Sequence, residues 1–153
     1  MKKTILYSPM EGTVFDISEC EDPVFAEKVL GNGILIRPDG NVITAPCDGV
    51  IETVADTLHA ITMYDENKIP VILHIGIDTV ELGGKGFRSF VKKGDAVQCG
   101  QKLLEVDMDY IRDEGYDPSV LLIIADSSCV VEKKNLECPV DSGAVVAEVC
   151  KEV

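Results

Sequence analysis

The chain holds only two histidines, His59 and His74, and a hairpin reading relates them. Ala60–Tyr64 and Ile69–Ile75 are β-type runs, and Asp65, Glu66, Asn67 and Lys68 between them supply turn chemistry. With a symmetric turn Tyr64 pairs with Ile69, and the same register sets His59 directly opposite His74 on one face. Pro70 tests that register, because it cannot donate to a ladder. If Tyr64 and Ile69 form a hydrogen-bonded pair, Pro70 falls opposite Met63 at a non-hydrogen-bonded position, which proline tolerates. The alternation makes His59 and His74 a non-hydrogen-bonded pair too, with Cα atoms about 4.5 Å apart and imidazoles able to touch. A slip of one residue would send the rings to opposite faces. Two facing imidazoles can bind a metal, relay a proton, or act as nucleophile and donor. A pair of satisfied sheet histidines is the plain alternative. Thr57 and Asp78 lie close by in sequence and offer polar groups on both sides, although a cap or turn role explains either one alone.

The elements that must position these residues are mostly strands. Short β-type runs bounded by Gly, Pro, Asp and Asn recur at Thr13–Ile17, Ile34–Arg37, Val50–Val54, Ala60–Tyr64, Val71–Ile75, Leu103–Val106, Val120–Ile124 and Ala144–Val149. Their spacing and Val/Ile content predict an all-β sandwich or barrel. Two segments read as helical turns. Asp22 caps one that starts at Pro23 and stops at Gly31, and Asp107 caps one that stops at Gly115.

An internal repeat accompanies the strands. Ser8-Pro9-Met10-Glu11-Gly12-Thr13-Val14 is echoed by Ala45-Pro46-Cys47-Asp48-Gly49-Val50-Ile51, and more loosely by Cys138-Pro139-Val140-Asp141-Ser142-Gly143-Ala144-Val145. In each, the Pro denies the ladder a donor and the Gly can supply positive φ, so each copy turns the chain into a new strand. Val91 to Val97 followed by Gly100 to Leu103 adds a strand–turn–strand signal. The phrases resemble the hammerhead motifs of biotinyl and lipoyl carrier domains. No lysine stands in the Met-Lys-Met or Asp-Lys setting that such a carrier modifies, so they read as scaffold.

Composition narrows the function classes. At 153 residues the chain is the size of a single domain over 1–153, long enough to bury a core without staples. Its aromatic content is 5%, with no Trp, so that core must be aliphatic. The formal charge of −13 repels phosphate backbones and anionic lipid, which argues against nucleic-acid and membrane-surface binding. The longest unbroken apolar run, Val120–Ala125, is far short of a membrane span. Met1, Lys2 and Lys3 imitate a signal peptide, but the apolar stretch behind them ends at Tyr7, too short for export. The reading is a cytoplasmic protein with six reduced thiols, at Cys20, Cys47, Cys99, Cys129, Cys138 and Cys150.

Phe25-Ala26-Glu27-Lys28-Val29, Gly31-Asn32-Gly33-Ile34, Thr57-Leu58-His59-Ala60 and above all His74-Ile75-Gly76-Ile77-Asp78-Thr79-Val80-Glu81-Leu82, followed by Gly86-Phe87, carry a resemblance. They are similar to the glucose-type IIA component of the bacterial phosphoenolpyruvate-dependent sugar phosphotransferase system, from about Ile5 to Val149. The resemblance implies an antiparallel β-sandwich of the duplicated hybrid-motif type with a shallow active-site depression. It implies His74 as the residue phosphorylated, through Nε2, with His59 steadying the phosphoryl group and Thr57 orienting His59. Asp22, Phe25, Asp78 and Val80 become the partner-binding residues, the aspartates facing cationic groups. The apolar ring around the site, aromatic at several places in well-known members, is here Ala55, Thr62 and Ile72.

The resemblance also implies the flow of phosphoryl, from the phosphohistidine of the carrier protein HPr to a cysteine on the IIB domain of a sugar permease. No cofactor is required, no nucleic acid takes part, and the chain does not insert in the membrane. The same surface can bind regulated metabolic enzymes or transporters, and the two histidines can share a zinc ion with a partner carboxylate. Lysostaphin-like zinc endopeptidases are a rival, since His74 and Asp78 imitate their His-x-x-x-Asp pair. They also need a His-x-His pair, and no third histidine exists here. Thiol titration of the denatured, unreduced protein is expected to find six free groups; a smaller count would mean that disulfides staple the fold.

Overall fold

Every residue of strand Val120–Ile124 is buried, and that run organises the architecture. The computed structural model describes residues 1–152. Its strands in chain order begin with β1 (Lys2–Tyr7), β2 (Gly12–Asp16), β3 (Asn32–Pro38), β4 (Val42–Thr44) and β5 (Gly49–Val54). They continue with β6 (Ala60–Asp65), β7 (Pro70–Ile75), β8 (Phe87–Ser89), β9 (Ala96–Val97) and β10 (Lys102–Val106). The last are β11 (Val120–Ile124), β12 (Val130–Lys133), β13 (Pro139–Val140) and β14 (Val145–Lys151). Two short helices, α1 (Pro23–Ala26) and α2 (Met108–Asp113), and two 3-10 turns complete the elements.

The strands form an eight-stranded sheet, in the order β13-β2-β3-β11-β7-β6-β5-β9, and two three-stranded sheets, β1-β14-β12 and β4-β10-β8. All pairings are antiparallel. The expected all-β sandwich is the observed fold. The three-stranded sheets include strands that the sequence reading left out: β1, β4, β8 and β12.

Alternation along β11 divides its side chains between two cores. Val120, Leu122 and Ile124 join the main core with Leu6, Met10, Ile36, Leu73 and Ile75. Leu121 and Ile123 face a smaller cluster made with Ile17, Cys20, Phe25, Leu35 and Ile77. A continuous apolar run is what a strand covered on both faces requires. The smaller cluster is covered by the chain around α1. Asp22 caps that helix, its Oδ1 accepting from the Val24 N–H at 2.9 Å, and Pro23 fills the first helical position.

The helix ends well before Gly31, contrary to expectation. Lys28 adopts the left-handed conformation at φ 61°, and the Val29 N–H closes back onto the Val24 carbonyl at 3.1 Å. This is a Schellman stop with Lys at the position that Gly usually takes, so composition gave no sign of it. Helix α2 does stop where expected, its capping Asp107 accepting from the Tyr110 N–H and Gly115 taking φ 88°.

The repeated phrases lie about a local two-fold. The Tyr7 N–H donates to the Pro46 carbonyl at 2.9 Å, and the Thr44 N–H donates to the Pro9 carbonyl at 2.7 Å, the same bond with the copies exchanged. Ser8 pairs with Gly143 and Ala144 as Ala45 pairs with Gly100 and Gln101. Val14 exchanges bonds with Glu137 and Cys138 as Ile51 does with Gly94 and Asp95. The Cys138 phrase is therefore not a third copy of the Ser8 phrase. It is the partner of the first copy, and Asp95–Lys102 is the corresponding partner of the second. Equivalent glycines show the same packing. A Cβ on Gly12 would lie 2.4 Å from the Arg37 carbonyl oxygen, and one on Gly49 would lie 2.3 Å from that of Tyr64. Gly49→Ala and Gly12→Ala should each lower unfolding free energy by about 1–3 kcal/mol in urea titrations, since a backbone carbonyl cannot yield as a side chain can.

Candidate functional site

His74 occupies β7, on the face that carries the smaller core. In register, Phe15 meets Leu35, Leu35 meets Leu121, Leu121 meets His74, and His74 meets Ala60, so the imidazole continues a row that crosses five strands. Phe25 from α1 lies against it, ring centroids 4.8 Å apart and planes inclined by 53°. The His59 ring approaches edge-on, with centroids 5.2 Å apart. The two histidines do meet.

They meet in a different register from the one the sequence suggested. Tyr64 pairs with Pro70 and Ala60 with His74, one residue away from the symmetric reading. The hairpin loop is shorter than assumed: Asp65 pairs with Ile69 through a 3.2 Å bond, and Lys68 adopts the left-handed conformation at φ 59°. Asp65 Oδ1 accepts from the N–H groups of Asn67 and Ile69 at 2.9 and 2.8 Å, which fixes this loop. His59 thus lies opposite Ile75, whose N–H donates to its carbonyl at 2.7 Å. Strict alternation would turn the His59 ring away from His74, but β6 begins only at Ala60. His59 belongs to the bend after β5, where Leu58 has φ 60°. There the contact between Thr57 Oγ1 and His59 Nδ1, 2.5 Å, holds the ring toward His74.

A depression of about 130 Å³ opens over the rings, lined by Asp22, Phe25, His59, His74, Asp78, Thr79 and Val80. Asp22, Phe25, His59, His74, Asp78 and Val80 line it as expected; Thr57 stands behind His59, and Ala55, Thr62 and Ile72, expected in the ring, are not among the lining residues. Phe25 is buried, while Val80 is 47% exposed at the rim. Thr79 is the lining residue to which the sequence reading gave no role. Its hydroxyl donates to the Ile75 carbonyl at 2.5 Å, and it is buried. No spacing rule picks it out, because it reaches the site through the 3-10 turn Thr79–Leu82.

Burial is the main force on the titration of His74, and the charge of His59 adds to it. Together they push the ring down to about 4, although Asp22 and Asp78 oppose the shift. Burial also lowers His59. His74 Nδ1 is buried without a partner in good hydrogen-bond geometry. The Gly76 backbone nevertheless favours the protonated ring. The Gly76 N–H is given to the Ser119 carbonyl at 2.8 Å. The site thus offers a half-buried imidazole that is neutral near pH 7, beside a second imidazole that can donate. Among the described residues, no group of three or more His, Cys, Asp or Glu side chains is placed to hold a metal ion.

The sequence matches the family described as "phosphoenolpyruvate-dependent sugar phosphotransferase system, EIIA 1" over residues 4–130. The glucose-specific EIIA component of Oceanobacillus iheyensis is 36% identical over 136 residues, covering 89% of this chain and 82% of that one. The corresponding component of Haemophilus influenzae is 36% identical over 145 residues, 93% of this chain and 82% of that one. The glucose-specific EIICBA component of Staphylococcus carnosus is 45% identical over 109 residues; the match takes in 71% of this chain but only 16% of that longer protein. Among solved structures, the glucose permease IIA from Mycoplasma capricolum superposes with a TM-score of 0.89 at 33% identity. That match covers 97% of this chain and 96% of that one.

A proton titration followed on the imidazole resonances should put His74 near pH 4. The unfolded chain takes up the same proton near pH 6.5. The stability owed to a neutral, buried His74 is therefore complete above pH 6.5 and is lost as pH falls toward 4. A midpoint near 6.5 in the folded protein would contradict the burial argument.

Proposed function

The chain belongs to the EIIA 1 family of the phosphoenolpyruvate-dependent sugar phosphotransferase system, and we propose that within it this protein carries phosphoryl on His74. The donor is the phosphohistidine of HPr, and the acceptor is a cysteine on the IIB domain of a sugar permease in the cytoplasm. The names of its relatives make glucose the first sugar to test. The observation that carries the reading is the half-buried pair of imidazoles at the floor of a depression lined by Phe25 and Val80 and by the carboxylates of Asp22 and Asp78.

The chemistry follows from the arrangement. The Nε2 lone pair of neutral His74 attacks phosphorus while the donor's N–P bond breaks, its electron pair returning to the donor imidazole. The proton on His74 Nδ1 stays in place, so no base is needed. Phosphoryl transfer asks chiefly for in-line positioning and charge stabilisation. When the Thr57 hydroxyl donates to His59 Nδ1, the His59 proton stands on Nε2, ready to bind a phosphoryl oxygen. In the second step the cysteine thiolate of IIB attacks phosphorus, and the pair of the breaking N–P bond returns to His74.

Asp22 and Asp78 shape partner choice. They place negative charge beside the rings, which favours a partner bringing cations and destabilises an isolated phosphorylated form. Phe25 and Val80 supply the apolar contact. Regulated enzymes or transporters that bind this face would meet the same ring of residues. A zinc ion held by His59 and His74 would need two further ligands from such a partner, and no step above runs through a metal.

His74→Ala should accept no phosphoryl from phospho-HPr, while the wild type takes an acid-labile, alkali-stable label at that residue. His59→Gln should still be phosphorylated but pass the group to IIB about 10²–10³ times more slowly, the usual cost of one positioned electrostatic donor. Mass spectrometry under alkaline conditions decides it: a label on His59, on a Ser or on an Asp, with His74 unmodified, would refute the reading.

A further inference from the structure

Two of the six cysteines stand opposite each other where the second copy of the repeated phrase meets its partner segment. Gly49 pairs with Val97 in the β5–β9 ladder, and beyond it the Ala45 N–H donates to the Gln101 carbonyl at 2.9 Å. Both pairings follow one register, and on it Cys47 falls directly opposite Cys99. The Cys99 N–H donates to Asp48 Oδ1 at 2.7 Å, which ties its turn to that strand. Residues opposed in an antiparallel pair have Cα atoms about 4.5–5.5 Å apart, inside the roughly 4.4–6.8 Å that a disulfide spans. The two side chains also line one surface depression of about 410 Å³. Both are free thiols.

The fold does not ask for thiols at these places. Under the local two-fold, Met10 stands where Cys47 does and Ser142 where Cys99 does. The Gln101 N–H closes the Cys99 turn on the Gln98 carbonyl, as the Ala144 N–H closes the Ser142 turn on that of Asp141. Gly100 and Gly143 take φ 87° and 91° in the two turns. The first copy thus builds the same corner with a thioether and a hydroxyl. Depth divides the cysteine pair: Cys47 is 5% exposed, while Cys99 is open to solvent. Burial, with Asp65, Cys99 and Asp48 adding to it, pushes the Cys47 thiol up to about 12. Burial and then Asp48 raise the Cys99 thiol as well. Little thiolate forms near neutral pH, so the pair reacts slowly and stays reduced until an oxidant persists.

We propose that Cys47 and Cys99 are a redox site: a low-molecular-weight disulfide, such as oxidised glutathione, converts them to an internal disulfide that locks the fold. Cys99 loses its proton to solvent and its thiolate attacks one sulfur of the reagent, whose S–S bond breaks and releases one small thiol. The Cys47 thiolate then attacks the Cys99 sulfur of the mixed disulfide, and the second small thiol leaves. Two protein thiols are oxidised and the reagent is reduced to two thiols, so no further electron acceptor is needed. The bridge closes a loop from Cys47 to Cys99 that contains both His59 and His74, and it restricts the unfolded chain more than the folded one. Neither cysteine lines the depression over the histidines, so the lock acts on stability and stands apart from the phosphoryl reading.

The test incubates the whole chain with oxidised glutathione at mildly alkaline pH, where thiolate accumulates, and compares it with the reduced protein. Peptide mapping without reduction should join Cys47 to Cys99, the linked peptides together lighter by two hydrogens than the free ones. The treated protein should melt roughly 5–10 °C higher than the reduced one, and dithiothreitol should remove the rise. Cys99→Ser, treated in the same way, should show neither the link nor the rise. Cys47→Ala should stop at a glutathione adduct on Cys99; if that variant does not fold, Cys99→Ser decides alone. A wild type that carries a lasting glutathione adduct on Cys99 with Cys47 still free overturns the proposal, and so does one in which both stay unmodified. A link from either of them to a different cysteine, or a linked form that melts no higher than the reduced protein, overturns it as well.

Discussion

Burial of β11 on both faces is the constraint from which the rest of the molecule follows. Each buried aliphatic side chain contributes about 1.5–3 kcal/mol only if something covers it. Val120, Leu122 and Ile124 find that cover in the opposing sheets, but Leu121 and Ile123 point the other way. The chain between β2 and β3 therefore lies over that second face with Ile17, Cys20 and Phe25. The depression exists at the edge of this cover. His74, paired with Leu121, is where the covered row reaches solvent, and α1 supplies both the Phe25 wall and the Asp22 rim.

That placement explains how a strongly acidic chain keeps the His74 imidazole neutral. Asp22 and Asp78 alone would hold the His74 proton more tightly and leave the ring cationic at a higher pH. Burial and the neighbouring His59 outweigh them. Had the ring stood fully in water, half of it would be protonated near pH 6.5 and unable to attack. The carboxylates at the rim pull the His74 pKa up without making the ring cationic near neutral pH. On the proposed reading, depth sets the reactivity of His74 and surface charge sets the recognition of its partners.

Much of the fold was legible in sequence because strand signals are local. The Val120–Ile124 run was read to the residue, and the β5, β6, β7 and β10 runs to within one residue at each end, since Gly, Pro and Asp bounded them. Asp22 and Asp107 were recognisable caps because a capping carboxylate acts within three residues of itself. What escaped notice depended on remote partners. The segment after Met1 read only as too short for export; it is strand Lys2–Tyr7 because Thr4 and Leu6 turn inward and it pairs with β14. The hairpin register was misread because it depended on the Asp65 side chain, which shortens the loop by one residue.

The site divides along the same line. By itself the sequence determined the candidates: two histidines, a polar neighbour for each, and the motif from His74 to Leu82 that matches the family. These are properties of residue type and spacing, which no tertiary contact alters. That His59 and His74 meet was decided only in three dimensions. The strand pairing taken alone would part them, and it is the bend at Leu58, with Thr57 on His59 Nδ1, that brings the ring round. The depth of His74 and the inward reach of Thr79 were likewise invisible. Each is a contact between segments that only the packed sheet brings together, and linear spacing carries no record of such contacts.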